Sequence, residues 1–171
     1  PVSMHVVDGH AMTDTSNVIR AHVLAMYLPS LVSAALIGSL GVVRLMLVGV
    51  MALGATVVVA LQGHEYLHYW WALVLLGVGW HFLFVGGTSL LVASYRPVER
   101  FKAQAFNDFA VFGVSAAASL LAGSVVVHFG WGSVLWSSLP LLVVMLVALC
   151  WAALRQRQAR FADQPTLQNG A

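Results

Sequence analysis

One short stretch of the sequence has the residue types and spacing of a zinc hydrolase. His64, Glu65 and His68 form an H-E-x-x-H pattern, which on a helix places two imidazoles on one face for zinc and supplies a carboxylate as general base. Such a site needs a third protein ligand, and no Asp or Glu occurs between residues 66 and 94. We therefore keep an intramembrane zinc metallopeptidase as the alternative function and predict no metal site.

His81 is the second candidate, because it lies deep within a long apolar segment, 11 residues after Trp70 and 13 before Ser94. A titratable side chain at that depth is costly in lipid and usually faces a partner or a cavity. His81 either lines a solute pathway, exchanges protons, or is a neutral histidine bonded to a neighbouring helix. Haem would need a second imidazole at the same depth; the other histidines lie near segment ends, so we predict no cofactor.

Five long apolar segments must position these residues. Each has close to the ~20 residues that a helix needs to cross the hydrocarbon core, and none alternates as barrel strands do. The chain is 60% apolar and 8% charged, whereas soluble domains carry about 25% charged residues. We predict an all-α membrane protein, a helical bundle with kinks at Pro29 and Pro140. The segments cover residues 18–40, 42–61, 70–94, 105–128 and 131–154.

The basic residues predict the orientation of the bundle. Seven of the eight Lys and Arg residues fall on one side of the segments, and the connections at 62–69 and 128–131 on the opposite side have none. The positive-inside rule places the basic side in the cytoplasm. So few and so segregated cations exclude a nucleic-acid interface. The seven residues are Arg44, Arg96, Arg100, Lys102, Arg155, Arg157 and Arg160.

Several stretches resemble the C-terminal half of a major facilitator superfamily transporter. The most specific is residues 95–108, Y-R-P-V-E-R-F-K-A-Q-A-F-N-D, which is similar to the link between helices ten and eleven in one bacterial branch. Residues 18–24 resemble the start of helix eight, and residues 78–87 the middle of helix ten. Residues 38–44 resemble the signature between helices eight and nine, with Ser39 and Leu40 in place of its Asp-Arg pair.

This resemblance implies a secondary transporter, not an enzyme, that moves a small-molecule substrate across the bacterial inner membrane by alternating access. Residues 1–17 would be the external end of a preceding helix and its loop, residues 18–154 a five-helix transmembrane bundle, and residues 155–171 a polar, disordered cytoplasmic tail. The partners would be the lipid bilayer, the substrate and the missing N-terminal six-helix half. The family often has Asn where His81 lies, which favours hydrogen bonding over a proton relay.

Further residues are candidates for the transport pathway or its gates. Asn107 and Asp108 are expected to open the fourth segment, where Asp108 either caps the helix or pairs with a cation across the cytoplasmic entrance. Arg20 and His22 begin the first segment from the external side; Arg20 attracts anionic solutes, pairs with Asp14 or reaches the lipid headgroups. The cytoplasmic loop residues are expected to set topology, with one pair at i,i+3. They are Arg96, Glu99, Arg100 and Lys102.

Overall fold

Helices form nearly all of the part of the chain that the structure, a computed structural model, describes: residues 4, 5 and 8–163. A 3₁₀ turn, Pro97–Glu99, precedes the fifth helix, and these residues contain no strand. The predicted all-α class is confirmed. The helices are α1 Met12–Tyr27, α2 Ser30–Leu40, α3 Val42–Gln62, α4 Tyr66–Val92, α5 Arg100–Phe129 and α6 Trp131–Asp163.

Four of these helices, α3 to α6, are each long and apolar enough to cross a membrane. The first two helices qualify only together, as one span bent by 44° at a short break. Four or five crossings are therefore present, and the predicted five correspond to counting the bent pair once. The chain is a multi-pass membrane protein.

The break between α1 and α2 lies at Pro29. The proline ring has no N–H, so it cannot donate to the carbonyl of Ala25 four residues earlier. The chain forms a tighter turn across the break instead, in which the Leu31 N–H donates to the Leu28 carbonyl three residues earlier, at 3.3 Å. The sequence predicts a kink here, and the two helices meet at this short turn with a bend of 44°. Pro140 lies inside α6, and the kink expected there stays a prediction.

Several helix ends differ from the sequence-based bounds. The first helix begins at Met12, six residues before the predicted start, and α6 extends to Asp163, so the beginning of the predicted disordered tail is helical. Because the predicted start of the fourth segment was too late, Asn107 and Asp108 lie well inside α5 and do not open it. The rest of the predicted tail, residues 164–171, and residues 1–3, 6 and 7 lie outside the described part.

The centre of the bundle is α4, which packs against α3 on one side and α1 on the other. Glycines allow the close approach to α3: a Cβ on Gly79 would lie 2.8 Å from Leu53 and 2.9 Å from the Gly49 carbonyl oxygen. Small residues at such contacts let membrane helices pack backbone to backbone. Gly87, by contrast, faces open space. No residue of α5 is buried.

The predicted orientation in the membrane can be tested by labelling single cysteines from outside the cell. A cysteine replacing Glu65, between α3 and α4, should react with an impermeant maleimide added outside intact cells, because this connection lies opposite the basic loops. A cysteine replacing Arg100 should react only after permeabilisation. Both are made in a Cys150→Ala background, which removes the native thiol. Equal labelling of the two positions in intact cells would contradict the orientation.

Candidate functional site

His81 is buried at the contact between α4 and the broken span. Only 6% of the residue is exposed. Its Nδ1 lies 2.8 Å from the Met26 carbonyl oxygen at the end of α1, and its Nε2 lies 2.7 Å from Ser33 Oγ in α2. Both ring nitrogens are thus used within the chain, one on each side of the break at Pro29. This one side chain connects the two pieces of the span to the central helix.

The protons in this network can be counted. A carbonyl oxygen only accepts, so Nδ1 of His81 carries a proton and donates to Met26. In the neutral ring Nε2 is then an acceptor for the Ser33 hydroxyl. That hydroxyl also lies 2.8 Å from the Pro29 carbonyl oxygen, so its single proton has two acceptors.

A second histidine makes the reciprocal contact from α1 to α4. Nδ1 of His22 lies 2.7 Å from the Leu73 carbonyl oxygen, so each helix donates one imidazole N–H to a carbonyl of the other. Between the two bonds, a Cβ on Gly77 would lie 2.7 Å from the His22 carbonyl oxygen. We call His22 and His81, with the two carbonyl groups that they bond, the His22–His81 pair.

Local sequence explains why the pair forms here. Residues four apart on a helix share a face, which aligns His22 with Met26 on α1, and Leu73 with Gly77 and His81 on α4. Helix interruption at Pro29 leaves carbonyls of the last turn of α1 without the usual amide partner four residues on. The Met26 carbonyl is therefore a good acceptor for a side chain from outside the helix.

Ser33 is the residue that sequence reasoning missed. It is 4% exposed, and its hydroxyl bonds both His81 and its own helix. A signal was present, because a serine four residues after Pro29 follows a helix break in an otherwise apolar stretch. That signal did not identify a partner, since serines in membrane helices commonly bond only the preceding turn.

The other candidate residues lie away from this pair. Arg20 is exposed, and no ion pair joins it to Asp14 in the described part of the chain. The Asn107 side-chain amide donates to Asp108 at 3.3 Å, and the described residues provide Asp108 with no cationic partner. Pairing of Asp108 with a cation across the cytoplasmic entrance stays a prediction. The predicted loop residues are all exposed, namely Arg96, Glu99, Arg100 and Lys102.

The H-E-x-x-H residues do not share a helical face. Glu65 is the N-cap residue and α4 begins at Tyr66, so His64 lies in the connection before the helix. Its Nδ1 is 3.4 Å from an Asp8 carboxylate oxygen, to which the Tyr69 hydroxyl also donates. Across the described ranges, no group of three or more His, Cys, Asp or Glu side chains is placed to hold a metal ion. This geometry does not favour the peptidase alternative.

Comparison with known proteins identifies relatives among transporters. The chain is 38% identical over 149 residues to the riboflavin transporter RfnT of Brucella anthropi, covering 87% of this chain and 37% of that protein. It is 33% identical over 145 residues to the MFS-type transporter YddS of Bacillus subtilis, covering 84% of this chain and 33% of the relative. A third relative, the MFS-type transporter YdeG of the same organism, is 37% identical over 120 residues, or 69% of this chain and 28% of the relative.

No family model and no solved structure matches the sequence. The three relatives agree with one another in class, and each match includes most of this chain. The chain spans about a third of the length of these curated relatives. Together with the several apolar helices, these matches decide the family: the chain belongs to the major facilitator superfamily of membrane transporters.

Proposed function

We propose that the chain is the C-terminal half of a secondary transporter that moves a small solute across the bacterial inner membrane by alternating access. The observation that carries the proposal is the 38% identity to a riboflavin transporter over 87% of the chain. Relatives named as transporters point to a protein without enzymatic activity. The coverage of only about a third of each relative supports a second, N-terminal bundle as the partner that completes the pathway.

The broken span supports a moving part at α1 and α2. Discontinuous helices recur in secondary transporters, where the break leaves backbone groups free to bind and to rearrange. Here the freed end is held by His81 through Met26 on one side and Ser33 on the other. Alternating access requires two arrangements of packed helices separated by a small free energy. We infer that these hydrogen bonds are present in one arrangement and weakened in the other.

His81 therefore serves in our proposal as a positioning residue. Its burial and its two contacts within the chain favour hydrogen bonding between helices over direct contact with the solute. His22, half-buried on α1, holds the same interface one turn closer to the external end. Arg20, Asn107 and Asp108 stay candidates for contacts with the other half of the transporter.

Riboflavin is the first substrate to test. The full-length protein, expressed in a riboflavin-auxotrophic bacterium that lacks its own transporter, should restore growth on micromolar riboflavin and take up labelled riboflavin. The reason is that 38% identity to a riboflavin transporter over 149 residues favours the same helix packing, and helix packing shapes the solute pathway. Labelled uptake at the level of the empty-vector strain would remove riboflavin from the proposal, and a screen of other small solutes would then test the transporter class itself.

A further inference from the structure

A cavity whose lining contains neither His22 nor His81 is present near the turn between α2 and α3. It has a volume of about 680 Å³, is open on one side, and is lined by residues of that turn and of the last part of the membrane span of α6. Volumes of this size are typical of sites for small molecules. Arg44, near the start of α3, and Gln156, at the end of the apolar part of α6, both line it. The cavity is therefore at the membrane surface.

The lining combines apolar walls with one cation. Val43, Leu47 and Leu154 contribute apolar surface, and among the described residues of the lining Arg44 contributes the only charged side chain. Arg44 is exposed and has no ion pair within the described residues. The neighbouring cation Arg155 does not line the cavity, because its guanidinium lies over the Trp151 ring at 4.4 Å. The part of the site that the structure describes thus has a positive charge and no acidic side chain.

Backbone at the rim leaves room for a ligand. A Cβ placed on Gly38 or Gly41, both in the lining, would meet no heavy atom within 4 Å. Gly41 has a φ of 83°, a conformation that favours glycine over side chains with a Cβ. The open space beside these two residues lies in the same turn as Arg44.

We propose that this cavity binds an anionic phospholipid, with the phosphate at Arg44 and the start of an acyl chain along Val43, Leu47 and Leu154. A guanidinium binds phosphate oxygens through two parallel hydrogen bonds. A zwitterionic lipid carries its own cation next to the phosphate, and the described lining residues include no acidic group for that cation. The chemistry of the site therefore selects phosphatidylglycerol over phosphatidylcholine, and a lipid over a free anion because of its apolar walls.

The chain contains its own reporter for this site. Cys150 is its single cysteine, is exposed, and lines the cavity. Alkylation of the purified chain by a small maleimide in detergent micelles should slow when phosphatidylglycerol is added, because the bound lipid covers the thiol. Phosphatidylcholine and inorganic phosphate at the same concentrations should leave the rate unchanged. Equal protection by phosphatidylcholine, protection by inorganic phosphate, or no protection by any lipid would each overturn the proposal.

Variants of Arg44 test whether its guanidinium is responsible for the protection of the Cys150 thiol by the lipid. Arg44→Gln should raise the phosphatidylglycerol content needed for half-maximal protection about tenfold, which corresponds to about 1.4 kcal/mol. Arg44→Lys, which keeps the charge without the planar fork, should give an intermediate shift. Arg100→Gln is the matched control, since its guanidinium lies over the Phe101 ring and outside the lining. An unchanged requirement in both Arg44 variants, or an equal shift in Arg100→Gln, would contradict the assignment.

Discussion

Replacing Gly77 by alanine is expected to destabilise the bundle more than any other single methyl addition in the α1–α4 contact. The added Cβ would lie 2.7 Å from the His22 carbonyl oxygen and 2.9 Å from the Ala25 side chain. Because the first of these is backbone, the helices themselves must separate. Overpacking of this kind costs about 1–3 kcal/mol, and the separation also lengthens both hydrogen bonds of the His22–His81 pair.

Gly87→Ala is the matched control on the same helix. A Cβ there meets nothing within 4 Å, and alanine favours a helix by about 0.5–1 kcal/mol over glycine. Thermal unfolding of the purified protein in detergent should therefore show a lower midpoint for Gly77→Ala and an equal or higher midpoint for Gly87→Ala. If Gly77→Ala unfolds at the wild-type temperature, the close approach of α1 and α4 is wrong.

The sequence predicts the membrane class and most of the spans because both depend on composition averaged over about 20 residues. The helix ends were harder to predict. The start of α5 was placed at residue 105, because the charged loop ahead of it does not look like membrane helix, yet α5 begins at Arg100. A helix continues past the apolar core wherever water or headgroups satisfy its polar side chains, so hydropathy alone misplaces its ends.

The site was predicted in part, for a physical reason. The depth of His81 follows from its position in the segment, and its cost in lipid indicated that a partner must exist. The identity of that partner depends on which faces of α1, α2 and α4 meet, and no local pattern in the sequence contains that information. The break at Pro29 decides it, because it turns Ser33 and the Met26 carbonyl toward one imidazole.

Replacing His81 by leucine in the full-length transporter is expected to lower transport about tenfold or more while membrane insertion is retained. Leucine leaves the half-buried Met26 carbonyl without its donor, and each hydrogen bond lost between membrane helices costs about 1 kcal/mol. Ser33 loses its contact with α4 but can still donate to the Pro29 carbonyl. In the proposed mechanism, the broken span then loses a contact that holds it against α4, which changes the free-energy difference between the two transport states.

The matched control for His81→Leu is the same substitution at another histidine. His128→Leu removes an exposed imidazole on α5 whose Nδ1 bonds only the Ser124 carbonyl of its own helix, at 2.9 Å. Transport by this variant should equal that of the wild type. His81→Asn should retain much of the activity, since the Asn amide can donate to Met26 as Nδ1 does, and Ser33 keeps the Pro29 carbonyl as acceptor.

The most direct test of the account is substrate transport by the full-length protein between pH 5 and pH 8, measured for the wild type, His81→Asn and His81→Leu. Asn cannot titrate in this range, so a positioning role predicts that His81→Asn stays active across it while His81→Leu is strongly impaired. Loss of transport in both variants would contradict this role and make His81 a proton carrier. Full activity of His81→Leu would show that the link between α4 and the broken span is not needed for transport.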